Sequence, residues 1–196
     1  MYENVRQEVS YEKETEQDGL QLPAKQGESM ILSDRDIDQI IKTGKAFLVN
    51  PYNEEMLQPN SYDCVLGDEL KTVDGKSIDL TQDSYKLKPM EFILGSTEEK
   101  VHMPYDLCGH VDGKSSIGRL GVFVHISSGF IDSGFTGNVT LEIFNCSNKE
   151  FELYHGMPIC QIVFETLTNP VAKPYGMRGN HYQSSVGTVL SRYEPL

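Results

Sequence analysis

"N138-V-T-L-E-I-F-N145" is the stretch that decides the fold class, because its apolar and polar side chains alternate with a period of two. In an extended strand, successive side chains point to opposite faces. One face is therefore predicted to carry Val139, Leu141 and Ile143, and the other Thr140 and Glu142. The pattern predicts a strand that buries one face and holds a carboxylate in mid-strand on the other.

Similar short runs recur along most of the chain. "GVFVHI" (121–126) and "PICQIVF" (158–164) are two examples, and turn residues separate such runs from Ala46 onward. Many short strands between turns are typical of a β sandwich or barrel. The sequence therefore predicts a mainly β domain.

One short helix is predicted before the strands. "S33-D-R-D-I-D-Q-I-I-K-T-G44" begins with a serine that has an acid three residues later, and it ends at a glycine. That arrangement matches a capping box and a helix stop. Ile37, Ile40 and Ile41 form an apolar stripe at helical spacing.

Composition limits the classes of function. The 196 residues suffice for one domain, and the net charge is -12. An acidic chain of this kind disfavours nucleic-acid binding, which needs a broad basic face. No secretory leader and no apolar run of about eighteen residues is visible, so a cytoplasmic protein without membrane contact is expected.

The cysteines and histidines give no metal or disulfide pattern. Cys64, Cys108, Cys146 and Cys160 are widely spaced and include no C-x-x-C pair, so reduced and mostly buried thiols are expected. The five histidines include no pair at the i,i+4 spacing of a helical metal site. No zinc site is predicted.

The two ends of the chain differ from the middle. Residues 1–29 are polar and lack apolar periodicity, which predicts a flexible arm or a segment that packs on a neighbouring subunit. Residues 30–196 form the predicted domain. From about residue 170 the chain is rich in Gly, Ser and aromatics, which predicts a mobile tail that orders over a ligand.

A short loop, "D112-G-K-S-S-I-G-R119", stands out in so acidic a chain. Its backbone amides, hydroxyls and two cations could hold phosphate oxygens, and a plain polar turn with solvated cations is the alternative. "SSGFIDSGFTG" (127–137) then sets Asp132 between glycines, where it could accept from a sugar hydroxyl or form an Asx turn. Glu142 alone is equally compatible with a solvent-facing strand carboxylate.

Several motifs in order resemble one family. "GKSSIGRLGVFVHISSGFIDSGFTGNVTLEIFN" (113–145) followed by "GMPICQIVF" (156–164) is similar to the dCTP deaminase branch of the trimeric dUTPase superfamily. "MILSDRDI" (30–37) and "QPNSYDCVLGDEL" (58–70) resemble that branch's opening segments. The resemblance implies a distorted, jelly-roll-like β barrel that forms homotrimers, with active sites at subunit interfaces.

The resemblance also implies roles for individual residues. The loop would bind the triphosphate and groups near the base through Lys114, Ser115, Ser116, Ile117, Gly118 and Arg119. Asp132 would take the deoxyribose 3′-hydroxyl. The base pocket would include Phe135, Thr140, Leu141 and Glu142. The remaining substrate contacts would come from Gln161, Tyr175, His181 and Ser185, with the tail closing over the phosphates.

The implied reaction is deamination without a protein-bound metal. Glu142 would deprotonate a water that attacks cytosine C4 and would then deliver protons to N3 and the leaving amine. Arg119 would keep Glu142 ionised, Ser115 would bind the water or ammonia, and the Ser128 carbonyl would help to hold the water. Mg²⁺ is expected on the triphosphate oxygens, with no ligands needed from the protein.

Four positions depart from the family pattern. Lys114 stands where Arg is usual, which keeps the charge but loses the bidentate fork. Ser128 replaces an alanine, and His181 and Ser185 replace a lysine and a glutamine in the tail. At the tail position expected to bind phosphate, His181 would add little charge at pH 7 unless the triphosphate raises its pKa.

Four functions follow in order of preference. The first is hydrolysis of dCTP to dUTP and ammonia, which would supply deoxyuridine nucleotides for thymidylate synthesis. The alternatives are a bifunctional enzyme that forms dUMP and diphosphate, a dUTP diphosphatase, and a non-catalytic nucleotide-binding module. The expected ligands are dCTP, with dUTP as a further candidate and dTTP as an inhibitor.

Overall fold

The computed structural model describes residues 29–44, 46–127, 129–177, 179 and 181–193. The predicted arm therefore lies outside the described residues apart from Ser29, whose hydroxyl donates to Glu165 Oε1 at 2.5 Å. Ser128 lies outside them as well.

The predicted helix is confirmed as α1, Asp34–Lys42. Ser33 Oγ accepts from the Asp36 backbone amide, and the Asp36 carboxylate accepts in return from the Ser33 amide, which completes the capping box. Ile37 and Ile40 are buried, and Gly44 adopts a positive φ of 69° just past the helix. The apolar stripe thus seats the helix on the core.

Strands dominate the rest of the described residues, which confirms the mainly β prediction. A second helix, α2, is a single turn at Ser115–Gly118, and 3₁₀ turns occur at Glu54–Met56 and Tyr175–Met177. The strands are β1 Val49–Asn50, β2 Leu57–Gln58, β3 Ser61–Val65, β4 Glu69–Lys71, β5 Ser77–Asp79, β6 Tyr85–Leu87, β7 Phe92–His102, β8 Leu107–Gly113, β9 Val122–Phe123, β10 Phe130–Ile131, β11 Thr136–Asn145, β12 Phe151–Leu153 and β13 Pro158–Thr166.

Two antiparallel sheets enclose one apolar core. In the described part of the chain the first sheet has the order β5-β4-β7-β11-β9, with β1 also on β7, and the second has the order β10-β8-β13-β3-β2. β6 and β12 form a separate ribbon. The core draws Ile93 and Leu141 from the first sheet and Ile162 and Phe164 from the second.

The long pairing of β7 with β11 contains a bulge. The register runs from Thr136 opposite His102 to Phe144 opposite Phe92, and it shifts between Asn138 and Thr140. Three residues of β7, 97–99, thus stand opposite Val139 alone, so the extra residues of the bulge are on β7. Leu141 and Ile143 are buried as predicted, and Val139 is half-buried and packs against the core.

The strand predicted over residues 121–126 is shorter than expected. Only Val122 and Phe123 pair with β11, opposite Asn145 and Phe144. Beyond Phe123 the chain leaves the sheet, and Ser127 instead donates to the Glu142 side chain through its backbone amide and its hydroxyl. Because the chain leaves the sheet after Phe123, space opens beside β11.

The cysteines behave as the spacing predicts. All four are free thiols, and Cys64, Cys108 and Cys160 are buried. Cys64 and Cys160 face each other across β3 and β13, and their mutual hydrogen bond together with burial raises the pKa of Cys64. Among the described helices, none is long and apolar enough to cross a membrane.

Glu99 is a buried carboxyl on β7. It is 4% exposed and accepts from the Val65 amide at 3.1 Å, which ties β7 of one sheet to β3 of the other. Burial raises the pKa of Glu99 from 4.5 to about 7. The folded protein therefore binds this proton more tightly than the unfolded chain does.

This shift predicts how stability depends on pH. The contribution of the protonated Glu99 is fully present below pH 4.5 and is lost as pH rises through about 7. Glu99→Gln removes the titration and keeps an oxygen for the Val65 amide, so at pH 8 it should raise the free energy of unfolding by about 3 kcal/mol. Urea unfolding at fixed protein concentration from pH 5 to 8 measures the effect. Glu98→Gln is the control, and a parallel pH slope in both variants would contradict the prediction.

Candidate functional site

A cavity of about 670 Å³ lies beside β11, where β9 leaves the sheet. A volume of this size suits a small organic ligand. Its wall combines β11 with the turn before it, parts of β4–β5 and β7, and the C-terminal tail. The residues that line it include His125, Asp132, Phe135, Asn138, Val139, Thr140, Glu142, Tyr175, Tyr182, Ser185 and Leu190.

Glu142 lies half-buried in the cavity wall and not on an open surface. Its Oε2 accepts from the Ser127 amide at 3.3 Å and from the Ser127 hydroxyl at 3.2 Å. These bonds hold one carboxylate oxygen against the segment that leaves the sheet. The arrangement keeps an oriented carboxylate at the cavity, as a general base requires.

Asp132 and Phe135 belong to the turn that enters β11. The Phe135 amide donates to the Asp132 carbonyl at 3.1 Å, and Gly134 between them has a φ of 88°. Phe135 is buried and meets the Tyr175 ring edge to face at 5.7 Å. Burial raises the pKa of Tyr175 above its ordinary value of 10.0. The turn thus presents a carboxylate next to two packed aromatic rings.

The described part of the tail runs along β11. Asn138 N donates to the Ser185 carbonyl at 2.9 Å, and Val189 N donates to Thr140 Oγ1 at 3.2 Å. Further along, Thr188 Oγ1 donates to the Glu69 carbonyl at 2.8 Å. The tail is therefore attached both to β11 and to β4, and it forms one wall of the cavity. Its predicted mobility stays a prediction.

The segment from Lys114 to Arg119, which was predicted to be a loop, contains a helical turn. Ser115–Gly118 is the helical turn α2, with Ile117 buried beneath it and Ser115, Ser116 and Arg119 exposed. None of these residues belongs to the described lining of the cavity. Lys114 forms an ion pair with the buried Asp63 of β3.

Three further predicted residues stand apart from the cavity lining. The Leu141 side chain is fully buried in the core, because the strand alternation turns it away from Glu142, so any contact with a ligand would come from its backbone. Gln161 lies on β13 and accepts from Ser61 Oγ at 3.1 Å. His181 is exposed, and its carbonyl accepts from Arg192.

Some site residues escaped the sequence reasoning. His125 lines the cavity with both ring nitrogens buried and without a hydrogen-bond partner among the described residues. Asn138 Nδ2 donates to the carbonyls of Thr97, Glu98 and Glu99, while Asn138 Oδ1 accepts from the Gly187 amide. The strand pattern could have marked His125, since it alternates with buried Val122 and Val124. Nothing in the sequence marks Asn138, because its role depends on the bulge.

The cavity is acidic as it stands in one chain. Its described lining includes the carboxylates of Asp132 and Glu142 and contains neither Lys nor Arg. No group of three or more His, Cys, Asp or Glu residues placed to hold a metal ion occurs in the described ranges. An anionic ligand here would need cations from elsewhere.

Comparison with known proteins places this architecture in a family. The dCTP deaminase-like family model matches residues 31–167. The chain belongs to this family. A protein of Dictyoglomus thermophilum named "dCTP deaminase, dUMP-forming" is 41% identical over 184 residues, which cover 83% of this chain and 94% of the relative. A Methanosphaera stadtmanae protein of the same name is 39% identical over 183 residues, which cover 83% and 93%.

The fold comparison agrees with this membership. The crystal structure of 2'-deoxycytidine 5'-triphosphate deaminase from Agrobacterium tumefaciens superposes with a TM-score of 0.60 at 22% identity. The match covers 70% of this chain and 48% of that longer one. The dCTP deaminase-like chain described here therefore shares the β architecture of that protein, as its sequence motifs implied.

In this dCTP deaminase-like protein, Gly134 permits the tail to approach the turn before β11. A Cβ at Gly134 would lie 2.5 Å from Pro174 Cβ and 3.1 Å from the Tyr175 amide. Gly134→Ala should therefore detach the tail. We expect the Ser184, Gly187 and Val189 amides to exchange at least ~10-fold faster with deuterium, with little change in core strands.

Gly156→Ala is the matched control for this experiment. Gly156 has a similar φ of 78° but no atom within 4 Å of its added Cβ. It carries the same backbone strain without the clash. Equal tail exchange in the two variants would show that contact with Pro174 does not control the tail.

Proposed function

We propose that this protein deaminates dCTP at C4 and hydrolyses the same nucleotide to dUMP and diphosphate. The observation that carries the proposal is the oriented Glu142 carboxylate inside a nucleoside-sized cavity that also holds Asp132. The sequence favoured dUTP as the final product. The dUMP-forming alternative has the better support, because relatives about 40% identical are named for that product.

The first step in the proposal is addition of water to cytosine C4. Glu142 takes a proton from the water, and the oxygen bonds to C4 while N3 receives a proton. The new C4 hydroxyl then gives up its proton, relayed by the Glu142 carboxylate to the leaving amine; the C4–N4 bond breaks, C4 becomes a carbonyl, and ammonia departs to leave uracil. Among contacts with described residues, both hydrogen bonds to Glu142 fall on Oε2, so we assign these transfers to Oε1.

The second step would consume another water. That water attacks the α-phosphorus, the bond to the bridging oxygen of the β-phosphate breaks, and diphosphate leaves. Asp132 is assigned to the 3′-hydroxyl and the rings of Phe135 and Tyr175 to the sugar and base side of the cavity. Mg²⁺ enters the proposal as the counter-ion on the triphosphate, the usual arrangement for this cation.

The cations for the triphosphate would come from a second copy of the chain. The described lining of the cavity has no Lys or Arg, whereas Arg119 is exposed on α2 outside it. The segment next to Arg119 exposes Leu120, Phe123 and Ile126 by 59%, 55% and 52%, an apolar surface suited to another subunit. We therefore propose a homotrimer whose sites combine α2 of one subunit with the cavity of the next.

A product assay tests the reaction. The protein is incubated with dCTP and Mg²⁺, and nucleotides and diphosphate are resolved by anion-exchange chromatography. We expect dUMP and diphosphate in equal amounts with ammonia. Accumulation of dUTP alone would return the assignment to simple deamination. Turnover of dUTP but not dCTP would indicate a diphosphatase, and binding without turnover a nucleotide-binding module.

Co-expression of two inactive variants tests the shared site. Glu142→Gln removes the proton acceptor and Arg119→Ala the cation, so each homo-oligomer should lose nearly all activity. Mixed oligomers should recover roughly a quarter of wild-type activity, because intact halves then meet at random across interfaces. Light scattering reports the oligomer size, and dCTP turnover reports recovery.

The control is Glu142→Gln co-expressed with the double variant Arg119→Ala/Glu142→Gln, which cannot assemble an intact site. Absence of recovery in mixed oligomers of the two single variants would mean that one chain supplies the whole site. Recovery in the control, which has no Glu142 in any chain, would mean that Glu142 is not the proton acceptor.

A further inference from the structure

The ion pair between Asp63 and Lys114 lies under the turn that carries the proposed triphosphate contacts. The Asp63 side chain is 7% exposed and that of Lys114 25%. Lys114 Nζ donates to Asp63 Oδ2, whereas Oδ1 is buried without a hydrogen-bond partner among the described residues. A carboxylate so far from water strongly favours a nearby cation. The Lys114 charge is thus committed to the protein.

The location of the pair links the sheet to α2. Asp63 lies on β3, directly opposite Gln161 of β13, which in turn lies opposite Asp112 of β8. Lys114 follows β8 and occupies the N-cap of α2, where its carbonyl accepts from the Ile117 and Gly118 amides at 3.0 Å. One side chain therefore ties the start of α2 to a strand two positions away in the sheet.

Besides this ion pair, α2 is held by the buried side chain of Ile117 and by the pairing of Gly113 with Cys160 just before it, and the polar contacts at its start are few. Its N-cap makes no side-chain cap bond, and the Lys114 amide reaches the Ile159 carbonyl only at 3.5 Å. Ser115 follows immediately, and the Arg119 amide donates to the Ser115 carbonyl at 3.0 Å. A shift of Lys114 would therefore move both Ser115 and Arg119.

We propose that Asp63 and Lys114 form a positioning pair that holds α2, and that Lys114 does not bind the triphosphate itself. This inference rests on the proposed function, because it assigns Ser115 and Arg119 to the nucleotide. The chemistry of the pair supports it: an ammonium pairs with one oxygen at a time, whereas a guanidinium would pair with Oδ1 and Oδ2 together. The unpartnered Oδ1 is the atom that such a fork would satisfy.

The two roles of Lys114 predict opposite effects for a change at Asp63. If the pair positions α2, Asp63→Asn and Lys114→Gln should each lower kcat for dCTP at least ~10-fold, since small displacements of reacting groups are costly. The double variant should be no worse than either single variant, because the two residues act as one unit. If Lys114 binds phosphate, Asp63→Asn frees the ammonium and should lower KM, and Lys114→Gln should raise KM with kcat kept.

Lys114→Arg tests rescue, and Lys86→Gln is the control at an exposed lysine on β6. Lys114→Arg should have most of the kcat that Lys114→Gln loses, and its melting temperature should be higher than that of Lys114→Gln. If Asp63→Asn does not yield folded protein, the split between kcat and KM in Lys114→Gln, with its recovery in Lys114→Arg, decides between the roles.

An Asp63→Asn enzyme that matches or exceeds wild-type kcat/KM would overturn the inference. A Lys114→Gln enzyme whose KM rises while its kcat is unchanged would overturn it as well. Wild-type turnover of dCTP is measured first. Its absence would refute the proposed function, whereas normal wild-type turnover with unaffected Asp63→Asn would refute only the positioning pair.

Discussion

The bulge in the pairing of β7 with β11 constrains most of the molecule. Between the regular pairs on either side, three residues of β7, 97–99, stand opposite Val139 alone, so an amide and several carbonyls would be left without ladder bonds. Thr97 Oγ1 accepts from the Val139 amide at 3.0 Å, and Asn138 Nδ2 donates to the Thr97 and Glu99 carbonyls of β7. Because buried polar groups must be paired, Thr97 and Asn138 are what allow the bulge to exist.

The cavity follows from that irregularity. Asn138 also accepts from the Gly187 amide, so the residue that completes the bulge attaches the tail as well. On the other side of β11 the chain leaves the sheet after Phe123 and gives its next donors to Glu142. The cavity lies between these two departures from regular pairing, and the carboxylates of Asp132 and Glu142 both line it.

Charge is distributed unevenly between the parts of the proposed site. The cavity of one chain is lined by carboxylates and aromatic rings, and the cations lie on α2, outside its described lining. The two cations that flank α2 differ in their surroundings, since Lys114 is paired with Asp63 while Arg119 is exposed. In the proposed assembly, the exposed Arg119 of a neighbouring subunit would add positive charge beside the carboxylates of this cavity.

Local pattern determined much of this protein without reference to the fold. Ser33, Asp36 and Gly44 specify α1 because caps act over a few residues, and the alternation in β11 and β13 specifies their buried faces. The motifs around Ser115, Asp132 and Glu142 indicated the family for the same reason, since each motif is contiguous in sequence.

Only the tertiary structure decided which of these residues meet. The bulge at Val139, the pairing of Lys114 with Asp63, and the contact of the tail with Asn138 each join segments that are distant in sequence. Such contacts depend on strand register and on which polar groups lose water, and neither is encoded within a short window. The sequence therefore determined the elements and the chemistry they carry, while register and burial decided that Lys114 faces the sheet and Glu142 faces the cavity.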